Sequence, residues 1–255
     1  MMDPRLRGDD RSAVLPFEFI IPNFLVSSVK FRQLHSWDVD YKTAVALQAE
    51  LRERLVLEDG LSGDIRIVAG ADISCTKGDD RVFAAVVLLD AATLEVVEEA
   101  CHRGRISFPY IPGLLSFREG PSLLRAFEKL RKRPDMVLFD GQGIAHPRGF
   151  GLAAHMGLIL DIPAVGCAKT RLTGSFEEPG VRRGRHSPLV HDGKRIGAVV
   201  RTKDRVKPVF VSQGHRVSLE RAVEIVLQCT PRYRIPEPIR RAHILVNQMR
   251  VEGKG

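Results

Sequence analysis

Residues 135–157 read DMVLFDGQGIAHPRGFGLAAHMG, and the order of residue types within them sets the class of fold. Asp135 to Phe139 is a short, nearly continuous apolar run after a proline, which predicts a buried strand. Asp140-Gly141-Gln142-Gly143 ends it in a glycine loop. His146, Pro147, Arg148 and Gly151 follow, and then Leu152 to Leu158 has helical character. Strand, polar loop and helix in this order are the first half of a βαβ unit. Asp140 then stands at the carboxyl end of a parallel strand, where open α/β sheets bind their ligands. Glycines at 141, 143, 149 and 151 each cost conformational entropy, so the loop is expected to admit a ligand close to its backbone. His155, inside the helix, is expected to be a packed or surface residue and not a ligand.

The chain has 255 residues, of which 44% are hydrophobic, enough for one sizeable core. A single domain over residues 39–250 is expected, preceded by an extension over 1–38 that mixes charges, prolines and short apolar pieces without a sustained period and is expected to be disordered in part. Cys75, Cys101, Cys167 and Cys229 show neither CxxC nor metal-ligand spacing, and no signal-peptide pattern is visible. They read as reduced thiols of a cytoplasmic protein, expected to be monomeric. No apolar run approaches the roughly 20 residues that span a bilayer, so no membrane partner is expected. The net charge is +8, and residues 181–216 carry ten Lys and Arg against Asp192 and Asp204. One stretch therefore holds an excess equal to that of the whole chain, and a polyanion is the partner it predicts.

Elsewhere the pattern alternates between the two periods. Helical spacing runs from Asp40 through Glu58. Ile65–Ser74 reads as a strand with Asp72 near its end, where an acid needs a partner or a cation. A turn at 77–80 leads to strands over 82–89 and 94–100, giving an antiparallel meander. Pro109 and Pro112 hold Tyr110 and Ile111 extended ahead of Gly113. A helix starts near Ser116, carries Glu119 on its opening turn and runs to Arg131. Ile162–Ala168 is a further buried strand ending at Lys169. A hairpin over 195–212 and a helix capped by Ser218 complete the order.

A meander joined to a parallel βαβ half, with flanking helices, is the mixed α/β sheet of a ribonuclease H-like fold, in which acids from a first strand, a helix start and a parallel strand converge. Asp72, Glu119 and Asp140 hold those positions. Hard oxygen ligands favour Mg²⁺, with Mn²⁺ as a substitute, and such ions activate water and neutralise charge at phosphorus. Lys169 is placed to stabilise charge on the reacting phosphate. Phosphodiester hydrolysis on a nucleic acid held by the basic stretch is the reaction class this implies.

The segments GADIS around Asp72, PYIPGLLSFREGP at 109–121, DGQGIAHPRGFGLAAHMG at 140–157, GCAKTRLTG at 166–174 and VFVSQGH at 209–215 resemble, in one order from about residue 40 to 245, the motifs of the endonuclease V family. The resemblance implies a Mg²⁺-dependent endonuclease that nicks DNA at the second phosphodiester 3′ to deoxyinosine. It makes Asp72, Glu119 and Asp140 the metal-binding acids, His146 and Lys169 supporting active-site residues, and Tyr110 a wedge that enters the duplex. Ile111, Pro112, Gly113, Gly141, Gly143, Arg148 and Gly151 are expected on the nucleic-acid side of the site. Another ribonuclease H-like structure-specific nuclease, such as a junction resolvase, explains the acids without needing the PYIP segment. An inosine-specific ribonuclease is the other alternative, since no residue here decides between DNA and RNA. A non-catalytic binding module needs the basic face and not the acids.

Overall fold

The computed structural model describes residues 29–60, 63–75 and 79–252. Within them β1 (Ile67–Cys75), β2 (Arg81–Asp90) and β3 (Val96–Arg105) form the expected antiparallel meander. β4 (Met136–Phe139) and β5 (Ala164–Ala168) run parallel to β1. β6 (His186–His191), β7 (Lys194–Val200) and β8 (Val209–His215) add antiparallel strands on the other side. The result is one eight-stranded mixed sheet in the order β3-β2-β1-β4-β5-β8-β7-β6.

Strand periodicity divides the core between two faces. Ala69 and Ala71 of β1 with Val137 and Phe139 of β4 meet α2 (Leu115–Phe127) and α3 (Leu152–Leu160). Val68 of β1 with Met136 and Leu138 of β4 meet α4 (Leu219–Gln228) and α5 (Glu237–Glu252). Asp72 has the parity of Val68, so it falls on the α5 side. Every residue of α3 is buried, as befits a helix that is apolar all round, and His155 is a packing residue within it.

Several boundaries differ from expectation. α1 spans Tyr41–Arg52 and stops short of Glu58, because the backbone of Val56 is taken by the end of β8: Val56 N–H donates to His215 Nδ1 and its carbonyl accepts from Arg216 N–H. β6 carries Pro188 and polar residues at both ends on the sheet's edge, so its sequence shows no strand period. α5 begins with Glu237 and Pro238 and buries Ile239, Ala242 and Val246, a helical spacing that the sequence reading passed over. Residues 29–38, assigned by sequence to the extension, dock on the core through Val29, Phe31, Leu34 and Trp37, while 1–28 and 76–78, part of the expected turn at 77–80, lie outside the described residues. Among the described residues no helix is long and apolar enough to cross a membrane.

α5 rests directly on β1 at Gly70, where an added Cβ would lie 2.0 Å from the Pro238 carbonyl. Gly70→Ala must therefore lift the helix or bend the strand. It should destabilise the protein by about 1–3 kcal/mol, the usual range for overpacking, seen as a clear fall in Tm. An unchanged Tm would show that α5 does not depend on this contact.

Candidate active site

The three parallel strands end at the same edge of the sheet, and their order places the site. Ala71 of β1 pairs with Phe139 of β4, and Phe139 pairs with Gly166 of β5. Register therefore sets Asp72 beside Asp140, and Lys169, just past the end of β5, reaches Asp140 with its side chain. Lys169 Nζ is ion-paired to Asp140 Oδ2. Asp72 Oδ1 accepts from its neighbour Ile73 N–H at 2.8 Å. Asp72 Oδ2 is 2.7 Å from Nδ1 of His243 on α5, while Asn247 Nδ2 lies 3.1 Å from His243 Nε2.

Ligand atoms of Asp72, Asp140 and His243 all lie within 4.8 Å of one another. Glu119 approaches from α2 and makes no hydrogen bond or ion pair among the described residues. Burial, reinforced by Asp72 and Asp140, pushes its carboxyl up to about 8 against the pull of Arg118. Burial and then Asp140 also raise the Asp72 carboxyl, with His243 opposing. Carboxyls that disfavour one another's charge in a half-buried site are a donor set that a divalent cation fits. His243 adds an imidazole to an expected all-oxygen set, which widens the choice of ion toward Mn²⁺. The sequence reading missed it because the helix that carries it had not been recognised.

Beside the acids lies a cavity of about 370 Å³ lined by Tyr110, Gly113, Asp140, Gly141, Gln142, His146, Gly151 and Lys169 among others. Ile111 and Pro112 complete its lip. Tyr110 is 71% exposed, standing free between its prolines as expected. Gln48 of α1 braces the cavity wall. Its Nε2 donates to the carbonyls of Gly113 and Phe150 at 2.9 and 3.0 Å, and its Oε1 accepts from Arg148 Nε at 2.5 Å. Arg148 also donates to the Gly113 carbonyl at 2.6 Å, so its guanidinium holds the two loops together instead of standing free for phosphate. Gly113 itself has φ +80°, a conformation that favours glycine. Arg234, likewise unforeseen, donates to the carbonyls of Lys169 and Pro208 at 2.7 Å and to that of Lys207 at 2.8 Å, fixing the strand end that presents Lys169.

Other expected residues are also held by packing and hydrogen bonds. A Cβ on Gly143 would sit 1.9 Å from the Gln213 carbonyl, and one on Gly151 would sit 2.4 Å from that of Gln142. These glycines are required by backbone packing against β8 and within the loop itself, and Gly143 is not part of the cavity lining. His146 is buried and held down to about 4 by that burial and by the Arg148 guanidinium, with the Gly113 carbonyl opposing. It is neutral at physiological pH, and its Nδ1 accepts from Arg148 N–H at 3.2 Å. Arg201, one of the ten basic residues of 181–216, is buried, donating to the carbonyls of Gly180, Pro179 and Val206 and to Glu178. It organises the loops and offers nothing to a polyanion.

The sequence profile of the Endonuclease V family matches residues 49–244. Endonuclease V of Dictyoglomus turgidum is 46% identical over 218 residues, covering 86% of this chain and 94% of the relative. The crystal structure of Endonuclease V from Streptomyces avermitilis superposes with a TM-score of 0.83 at 44% identity, covering 90% of this chain and all of that one. Ciona intestinalis Endonuclease V, solved in complex with a 24mer DNA containing an inosine followed by a ribo-adenosine, aligns with a TM-score of 0.74 at 28% identity, over 84% of this chain and 99% of that one. The sheet shared with these neighbours is ribonuclease H-like, as the element order predicts.

The raised Glu119 carboxyl makes stability depend on pH in a defined direction. Between the ordinary carboxyl range near 4.5 and about 8, the folded protein holds a proton that the unfolded chain has lost, so stability falls as pH rises through that window. Melts in EDTA should show this loss between pH 5 and pH 8.5, and Glu119→Gln should lose less. Equal slopes for the two proteins would remove Glu119 from the repelling cluster.

Proposed function

The chain belongs to the endonuclease V family, and we propose that it is a DNA repair endonuclease that nicks the second phosphodiester bond 3′ to deoxyinosine by Mg²⁺-assisted hydrolysis. The observation that carries this reading is the cavity with Tyr110 at its mouth and Asp140 and Lys169 in its wall. A base taken out of the stack and the backbone beside it are thereby offered a pocket and an acid cluster in contact with each other. The inosine-containing DNA bound by the Ciona relative supports the substrate class.

Asp72, Asp140, Glu119 and His243 would hold the cation, with Mn²⁺ as an alternative. When bound, such an ion lowers the pKa of water and neutralises charge on phosphate oxygens. The chain's own groups do the rest. Lys169 brings its ammonium to Asp140, where it offsets negative charge building on the reacting phosphate. Neutral His146 and Arg148 hold the loop against Gly113, so the pocket is formed before the base arrives. Tyr110, kept extended by Pro109 and Pro112, fills the gap left by an extruded nucleotide, a step that costs a few kcal/mol and is cheapest where pairing is weak. The ribo-adenosine after inosine in the Ciona complex favours a second reading, cleavage of inosine-containing RNA. Parallel assays on inosine DNA and RNA of one sequence decide between the two.

Asp140→Asn should lower nicking on the order of 10²-fold or more, the usual effect of losing one preorganised electrostatic group, while the protein remains folded. Normal nicking by that variant, or by wild type in excess EDTA, would exclude the metal-assisted mechanism.

Tyr110→Ala should weaken binding to an inosine duplex far more than to inosine in a flexible single strand, because only the duplex must be opened. Equal losses on both substrates, or none on either, would show that Tyr110 is not a wedge.

A further inference from the structure

A second cavity, of about 510 Å³, lies on the far side of the loop at 144–149 from α2 and opens between the end of α1 and the turn joining β6 to β7. His146 lines both this groove and the base-sized cavity. The base-sized cavity thus borders the acid cluster through Asp140 and the groove through His146, while the groove shares no residue with the acid cluster.

The groove's lining carries three cations against two acids, with His146 and His191 besides. Arg52, the last residue of α1, is exposed, and its guanidinium makes no hydrogen bond or ion pair among the described residues. Its guanidinium lies over Gly149, where an added Cβ would be 2.8 Å from Nε, so it is held at the groove's edge. Lys194 also lines the groove, is exposed, and its ammonium is equally unpaired among the described residues. Arg195 is beside it, shared with Glu220 at 3.1 Å. Glu53 and Asp192 are the acids in the lining. Leu55, Leu57 and Pro147 are among its apolar lining. Two unpaired cationic side chains in a groove with apolar lining suit a chain of sugars and phosphates.

We infer that this groove binds the sugar–phosphate backbone on the 5′ side of the extruded nucleotide, with Arg52 and Lys194 as phosphate ligands. The direction follows from the proposed reaction, on which this inference rests. Cleavage 3′ to the lesion takes the 3′ backbone across Asp140 toward the acids. The 5′ backbone then leaves the cavity past His146, and the groove is what it meets. This also gives the basic stretch a specific part: Lys194 and Arg195 face the strand, whereas Arg201 is internal.

The test compares two single-stranded inosine oligonucleotides, one extended on its 5′ side and one beginning at the inosine, with wild type and with the Arg52→Gln/Lys194→Gln protein. Wild type should prefer the extended strand in kcat/KM by roughly tenfold, the effect of about 1.4 kcal/mol. The double variant should bring that ratio close to one. Its salt dependence on the extended strand should flatten by about 0.7 for each phosphate no longer neutralised. An extended strand whose 5′ linkages are uncharged methylphosphonates should behave toward wild type like the truncated one, which tests the groove without altering the protein. If wild type shows no preference, if the variant keeps the preference and its salt slope, or if methylphosphonates have no effect, the groove inference is overturned. Absence of inosine cleavage by wild type on every strand would instead overturn the function beneath it.

Discussion

Repulsion between carboxylates at one edge of the sheet is the constraint on which the site depends. Parallel pairing of β1 with β4 fixes Asp72 next to Asp140, and α2 brings Glu119 into the same neighbourhood, where its charge is disfavoured. One lysine, Lys169, is ion-paired there, and it cannot balance three acids. A fold does not gain stability from such an arrangement, because burying like charges together costs more than any packing the side chains provide. The cluster makes physical sense as a cradle for a cation, and the remaining architecture keeps that cradle in place.

Two layers of support surround it. α5 lies across β1 at Gly70 and delivers His243 to Asp72, so the C-terminal helix completes a site begun by the first strand. Gln48, Arg148 and Arg234 donate to loop carbonyls around the cavity, converting segments that lack regular structure into fixed walls. Buried carbonyls satisfied by side chains in this way are costly to leave unpaired. Rigidity of the pocket is therefore tied to residues that have no part in the chemistry. A hydrogen-bonded chain from Ser116 through His155 to His35 extends the same bracing to the docked segment before α1.

Much of this was legible in the sequence because it depends on local periodicity. The run at 135–139, the loop after it and the helix at 152 announce β4, Asp140 and α3, and the same logic places Asp72 and Lys169 at neighbouring strand ends. What escaped depends on long-range packing. Gly143 looks like a ligand-facing position in the sequence, yet the backbone that crowds it belongs to β8, some 70 residues away. Arg201 counts as surface charge until Glu178 and three carbonyls are seen around it. His243 was hidden for a different reason: the spacing of Ile239, Ala242 and Val246 marks its helix, but a proline-flanked start obscures it.

If the acid cluster is a divalent-cation site completed by His243, the metal-free protein must take up such an ion without any nucleic acid present. Electron paramagnetic resonance of titrated Mn²⁺ measures this directly. The free-ion signal should fall as the protein takes up the ion, with substantially weaker uptake in Asp72→Asn and an intermediate loss in His243→Ala. Undiminished uptake by Asp72→Asn, or no uptake by the wild-type protein, would contradict it.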